Sequence, residues 1–310
     1  LTLIVSLDGD GSTTYMICVA AMLPLYKRLG MSPLVMACLM MLASGIMNLT
    51  PWGGPTARAA SALHVDPSDV FVPMIIPMLC SIAWLYFIGY MYGRMERKRL
   101  GIIELDVSHG DNIQISSNPE ANRAHLRWFN ALLTICLMIC LVKGVLPMSI
   151  LFMIALAIAL VVNYKDINMQ KDLVAHHAGS ALNVVGIIFA AGIFTGILAG
   201  TGMVDSMSKE LVAIIPQSMG PFLAPITAVL SMPLTFFMSN DAFYYGVLPV
   251  LSEAALHYGI TPVEMARASI VGQPVHLLSP LVPSTYLLCG LAGIDLGQHQ
   301  KFAIKWAIIT

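Results

Sequence analysis

From Val70 to Gly93 the chain carries no charged side chain, and further apolar runs cover 127–145, 147–163 and 179–199. A helix rises about 1.5 Å per residue, so each run approaches the roughly twenty residues needed to cross some 30 Å of hydrocarbon. Within that layer every backbone N–H and C=O must find a partner in the protein, which leaves helical bundles or closed barrels. Continuous apolar runs, rather than alternation, select helices. Composition agrees: 57% of the residues are hydrophobic and 11% charged, where a soluble domain carries about 25% charge. The expected fold class is an all-α polytopic membrane protein, and enzyme folds built in water drop out.

Net charge is -1, so neither a polyanionic partner nor a nucleic-acid face is implied. The six cysteines lie in apolar segments without metal-site spacing and read as packing residues. The chain opens inside an apolar run without a basic flank and closes on FAIKWAIIT, so it is expected to be a fragment truncated at both ends.

Four other apolar stretches, 12–26, 31–64, 221–258 and 262–293, are short or broken by polar or Gly/Pro-rich sequence: DGDGST, NLTPWGGPT, SND and LLSPLVPST. Polar, non-helical backbone at membrane depth is tolerated where it lines a cavity or is buried in protein, so these breaks predict an internal site. They are also paired. A shift of 229 positions lays GMSPLVMA on GITPVEMA, Thr50-Pro51 on Ser279-Pro280 and Thr56 on Thr285; a two-residue slip lays Asp10 on Asp241. An internal repeat is expected.

Threading DGDGST and SND as tips of re-entrant hairpins gathers twelve of the sixteen basic residues on one face: Lys27, Arg28, Arg94, Arg97, Lys98, Arg99, Arg123, Arg127, Lys165, Lys171, Lys301 and Lys305. The positive-inside rule makes that face cytoplasmic. The predicted organisation is two inverted-topology repeats with broken helices. Residues 1–93 form the first, N-terminally truncated repeat, with an inward-opening hairpin. Residues 94–126 form a cytoplasmic linker, and 127–310 a second repeat with an outward-opening hairpin, truncated at its C-terminus.

Unwound tips free carbonyls and amides, and the following helix aims its N-terminal dipole at them. Candidate substrate-binding residues are Gly11, Ser12 and Thr13 on the first tip, and Ser239 and Asn240 on the second. The first broken loop adds Asn48, Thr50, Gly53, Gly54 and Thr56; the second adds Ser279, Ser284 and Thr285. Hydroxyls, amides and helix N-termini suit a carboxylate, while Asp8, Asp10 and Asp241 suit a metal cation or a coupled proton. Intramembrane acids are costly enough to mark function by default. DGDGS also opens like a calcium loop, but Thr13 and Val19 replace its glycine and glutamate. Back-bonding to helix carbonyls competes with ligand contact at each serine and threonine. His276 could shuttle a proton, though a histidine bonded within the bundle is the simpler account; Arg58 and Arg267 could each pair with an anionic substrate, though a snorkelling arginine at a helix end is the simpler account.

With these residues in hand, SLDGDGSTTYM, MNLTPWGGPTARA, SMPLTFFMSNDAFYYGVLPVL and GQPVHLLSPLVPSTYLL resemble the citrate-metal-proton symporter family of the ion transporter superfamily. The resemblance implies a secondary active transporter, not an enzyme, and so no catalytic residue. Its substrate would be citrate complexed with a divalent cation of the magnesium or calcium class, taken up by proton symport. It implies a multi-pass protein of the bacterial inner membrane, no permanently bound cofactor, a homodimer as an allowed assembly, and no nucleic-acid partner. Related superfamily members carry Ser-Asn-Thr at both tips; here the second tip reads Ser239-Asn240-Asp241 and the first Gly11-Ser12-Thr13 behind two aspartates. Two other readings are a proton-coupled cation or oxyanion exchanger on the same scaffold and an intramembrane aspartyl hydrolase. Against the hydrolase, the aspartates fall on unwound tips rather than on adjacent intact helices.

Overall fold

The computed structural model describes residues 1–101, 124–143 and 145–310, and its regular structure among these is helical throughout. Most of the segment expected as a linker, residues 102–123 with Arg123, lies outside the described residues. One compact unit joins residues 1–105 to 190–310, and a second comprises 106–189.

In the first unit, helical turns Thr2–Val5 (α1) and Ser6–Asp8 lead into α2 (Gly11–Arg28), α3 (Pro33–Met47), α4 (Gly54–Leu63) and α5 (Pro67–Leu100). The second unit packs α6 (Arg127–Val142) on α7 (Met148–Asn163). There the Asn130 and Asn163 amides bond each other reciprocally at 2.8 Å, which satisfies both within an apolar pair. α8 (Ile167–Gly200) leads on to α9 (Met203–Ile214), α10 (Leu223–Phe237), a π-helical turn (Ala242–Val247) and α11 (Leu248–Leu256). α12 (Pro262–Ser269), α13 (Gln273–His276), α14 (Pro283–Ala292) and α15 (Leu296–Ile309) complete the chain.

By length and composition, α5 and the segment Gly220–Phe237 can cross a membrane. The runs expected over 127–145 and 147–163 form helices of 16 residues each, about 24 Å long. Large apolar side chains face outward, among them Ile76 at 73% and Phe237 at 78% exposure. Water would oppose such a surface; hydrocarbon does not.

Local structure recurs in the first unit at the 229-residue offset. Pro33 and Pro262 open α3 and α12 after the N-caps Ser32 and Thr261. Gly30 and Gly259, in the left-handed region, end the preceding helices with equivalent bonds. His64 and Gly293 are the left-handed C-caps of α4 and α14, and Asp66 and Asp295 then cap α5 and α15. Proline at the first helical position has no N–H to lose, and the caps satisfy N–H groups that would otherwise be unpaired.

Two pairs of equivalent residues touch each other. Pro274 Cα lies 2.9 Å from where a Cβ would stand on Gly45, and Ser81 Oγ donates to Thr310 O at 3.3 Å. Around this centre the first apolar core packs Tyr15, Met36, Met41, Leu42 and Ile88 with Leu278 and Leu288. A second core gathers Val70, Phe243, Tyr244 and Leu248 with Met265 and Ile270.

Candidate functional site

The first broken loop is held by its own backbone. Gly53 N–H bonds Thr50 O at 2.8 Å, and a Cβ on Gly53 would overlap the Asn48 carbonyl, so the turn requires glycine. Thr56 is buried and donates to Asn48 O at 3.2 Å, and Thr50 is buried and donates to Met47 O at 2.9 Å. In the second loop, Thr285 occupies the position of Thr56 and donates to Leu277 O, which occupies that of Asn48. Ser279, in the position of Thr50, donates instead across to Phe236 O at 2.6 Å and accepts from Leu281 N–H. These four hydroxyls, expected as substrate contacts, shape backbone in the observed state. The half-buried side chains of Asn48 and Ser284 are more accessible, as is the backbone at Gly54.

On the first tip, Gly9 has φ +78°, and Trp52 Cδ1 stands 3.2 Å from where its Cβ would be. The Trp52 indole N–H donates to Leu7 O at 2.9 Å. Asp8 closes the turn before it. Asp10 caps α2, accepting from the backbone of Ser12 at 3.3 Å and of Thr13 at 2.8 Å, and from the Thr13 hydroxyl. On the second tip, Ser239 Oγ accepts from Ala242 N–H at 3.2 Å. That is the bond from Asp10 to Thr13 repeated at the same offset. The structure therefore aligns Asp10 with Ser239 and Asp241 with Ser12, without the two-residue slip expected from matching the acids.

Asp241 meets a cation. Arg58, on α4, donates through Nε to Asp241 Oδ1 at 2.7 Å, with the side chains 26% and 45% exposed. Beside it, fully buried Gln273 donates to Tyr244 OH at 2.9 Å and to Asn240 Oδ1 at 3.4 Å. Its own Oε1 has no hydrogen-bond partner. His276 donates from Nδ1 to Thr235 O at 2.7 Å and is buried, which fits a histidine bonded within the bundle.

These contacts close a ring. The first tip meets the first loop through Leu7 and Trp52, and the first loop's helix meets the second tip through Arg58 and Asp241. The second tip meets the second loop's approach through Asn240 and Gln273, and the second loop returns to the first tip at Ser284, whose Oγ lies 3.2 Å from where a Cβ on Gly11 would stand. Gln273 and Trp52 carry no signal in the sequence that places them here, while Arg58, for which snorkelling is the simpler expectation, pairs with Asp241. Arg58 could have been noticed as an arginine in an Ala/Ser-rich helix with no acid within four residues. Among the described residues, no three of His, Cys, Asp and Glu gather to hold a metal.

Comparison with known proteins agrees with a transporter of this kind. The model of a family described as "Citrate transporter" matches residues 1–272. A citrate transporter of Bacillus subtilis (strain 168) is 59% identical over 313 residues, covering 100% of this chain and 72% of that protein. A Mg(2+)/citrate complex secondary transporter of the same organism is 51% identical over 311 residues, covering 100% and 72%. A polytopic helical membrane protein, a ring of polar breaks in contact with one another and this degree of identity lead to one assignment: the chain belongs to the citrate transporter family, a family of transporters and not of enzymes.

Proposed function

We propose that the protein takes up citrate complexed with a divalent metal cation, in symport with protons, across the bacterial inner membrane. The observation that carries this reading is the ring itself, which brings the polar tips and broken loops of an otherwise apolar chain into contact. One relative is named for the magnesium-citrate complex. A cation held by citrate oxygens would be a hard ion such as magnesium or calcium.

In this proposal Gly11, Ser12, Thr13, Asn48, Gly54, Ser239, Asn240 and Ser284 face the complex. Thr50, Gly53, Thr56, Ser279 and Thr285 shape the backbone around it. Asp8, Asp10 and Asp241 serve the metal or the proton. The contacts between equivalent residues, Gly45 with Pro274 and Ser81 with Thr310, support two repeats related by a pseudo-two-fold axis. The basic ends Lys27 and Arg28, whose equivalents are Leu256 and His257, support opposite orientations for the repeats 1–93 and 127–310. A homodimer is the assembly we propose.

The test is uptake of labelled citrate by full-length protein reconstituted in vesicles, across a panel of divalent cations. Uptake should require a divalent cation and rise with an inside-alkaline pH gradient. Equal uptake of citrate in the presence of a chelator would remove the metal complex from the reading, and absence of citrate uptake with every cation would remove the substrate.

A further inference from the structure

Pseudo-symmetry makes the Arg58–Asp241 pair stand out. The equivalent junction in the other half pairs the positions of Leu287 and Ser12, which carry no charge. The first tip packs there through Gly11 on Ser284 of α14, a helix with no charged residue, so the scaffold holds a tip against a broken helix without charge on the helix. The pair is also only partly covered, with side chains 26% and 45% exposed. A partly exposed ion pair contributes little to stability, so a structural purpose accounts poorly for two charges set among broken apolar helices.

We propose that Arg58 is the receptor for a substrate carboxylate and that Asp241 is its resting partner. On binding, Arg58 exchanges the Asp241 carboxylate for one on the ligand, and the released Asp241 takes up the transported proton. This inference rests on the metal-citrate reading above. Fully ionised citrate carries three negative charges and a divalent cation two positive, so the complex is a monoanion. At rest, the guanidinium and Asp241 cancel. Loaded, the guanidinium and the monoanion cancel only if Asp241 is neutral; a bare carboxylate beside the ligand in a low dielectric would be repelled. The proton moves from solvent to an Asp241 oxygen on loading, and returns to solvent as the ion pair re-forms on release. Each ligand thereby favours the other's binding, which is what symport requires.

Other titratable groups lie around the pair. Tyr244, in the turn that follows Asp241, and His276, on α13, are within its electrostatic reach. Glu253, on α11, lines a separate cavity of about 190 Å³ with His64. On α12, Glu264 is engaged in a cap with Thr261 and Arg267 with Val263 O. Direct competition for the guanidinium therefore falls to Asp241.

The experiment is titration calorimetry of full-length protein with magnesium citrate, in buffers of different ionisation enthalpy and at several pH values. Wild type should take up about one proton more per complex than Asp241→Asn, and its affinity should fall by up to about tenfold more per unit rise in pH than that of the variant. D241N should also lose accumulation driven by a pH gradient. A double variant, Arg58→Leu with Asp241→Ser, copies the uncharged junction of the other half and should fold yet bind no complex. Equal proton uptake by wild type and D241N would overturn the exchange while leaving citrate transport intact, as would undiminished binding by the double variant. Failure of wild type to bind citrate with any divalent cation would overturn the functional reading, and this inference with it.

Discussion

Gly9 joins two constraints at one residue. Its φ of +78° lies where a Cβ meets its own backbone, and Trp52 Cδ1 stands 3.2 Å from where that Cβ would be. An L-residue in the left-handed region costs about 1–2 kcal/mol, so Gly9→Ala should lower stability in detergent by about that amount and displace the first tip. The companion change Trp52→Phe keeps an aromatic side chain but removes the indole donor to Leu7 O, a loss of about 1 kcal/mol for the hydrogen bond. Thermal unfolding of both variants checks this; an unchanged midpoint for Gly9→Ala would show that the tip is not held as described. Glycines beside the aspartates were legible as sites of close backbone approach, but their neighbour was not, because Trp52 is 43 positions away and nothing in DGDGST encodes an indole. The partner of Arg58 is hidden from the sequence for a similar reason. An arginine near a helix end ordinarily snorkels, and its partner Asp241 lies 183 residues on. Asp10 and Asp241 were paired by chemical likeness, whereas the backbone bonds pair Asp10 with Ser239.

At the scale of elements, punctuation decided what could be read. Proline following a small polar residue marks the starts of α3, α5 and α12, and these boundaries were visible within a few residues. The π-helical turn after the second tip was not, since a shift in bonding register within an apolar run leaves no compositional trace. The α12 start carries a full capping box that its equivalent lacks: Thr261 Oγ1 accepts from Glu264 N–H, and the Glu264 carboxylate accepts from Thr261 N–H at 2.8 Å. The Thr261 backbone amide, then its hydroxyl, hold the exposed Glu264 carboxyl below its usual value. A carboxyl whose folded value is depressed stabilises the fold above its unfolded value, and that contribution disappears as pH falls through the folded one. Glu264→Gln should therefore lower the unfolding free energy slightly at neutral pH, by less than about 1 kcal/mol given solvent screening. The gap between variant and wild type should close in acid. A gap that widens on acidification would reverse the assigned cause.

For the whole molecule, the 229-residue offset is visible in GMSPLVMA with GITPVEMA, Thr50 with Ser279 and Thr56 with Thr285. What the offset could not reveal was that Gly45 touches Pro274 and Ser81 touches Thr310, which requires three-dimensional packing. In the two-fold relation proposed above, residues on the axis meet their own counterparts, as these two pairs do. A two-fold axis lying in the membrane plane would carry each position to the opposite face, whereas an axis along the membrane normal would return it to the same face. Arg28 and His257 are equivalent, exposed and placed at the ends of α2 and α11, so they distinguish these cases. In a full-length protein freed of its native cysteines, R28C should react with a membrane-impermeant thiol reagent only from the cytoplasmic side, and H257C only from the other. Labelling of both from one side would place the axis along the membrane normal. The ring of tips and loops would then open toward a single compartment, and alternating access could not arise from exchanging the roles of the two halves.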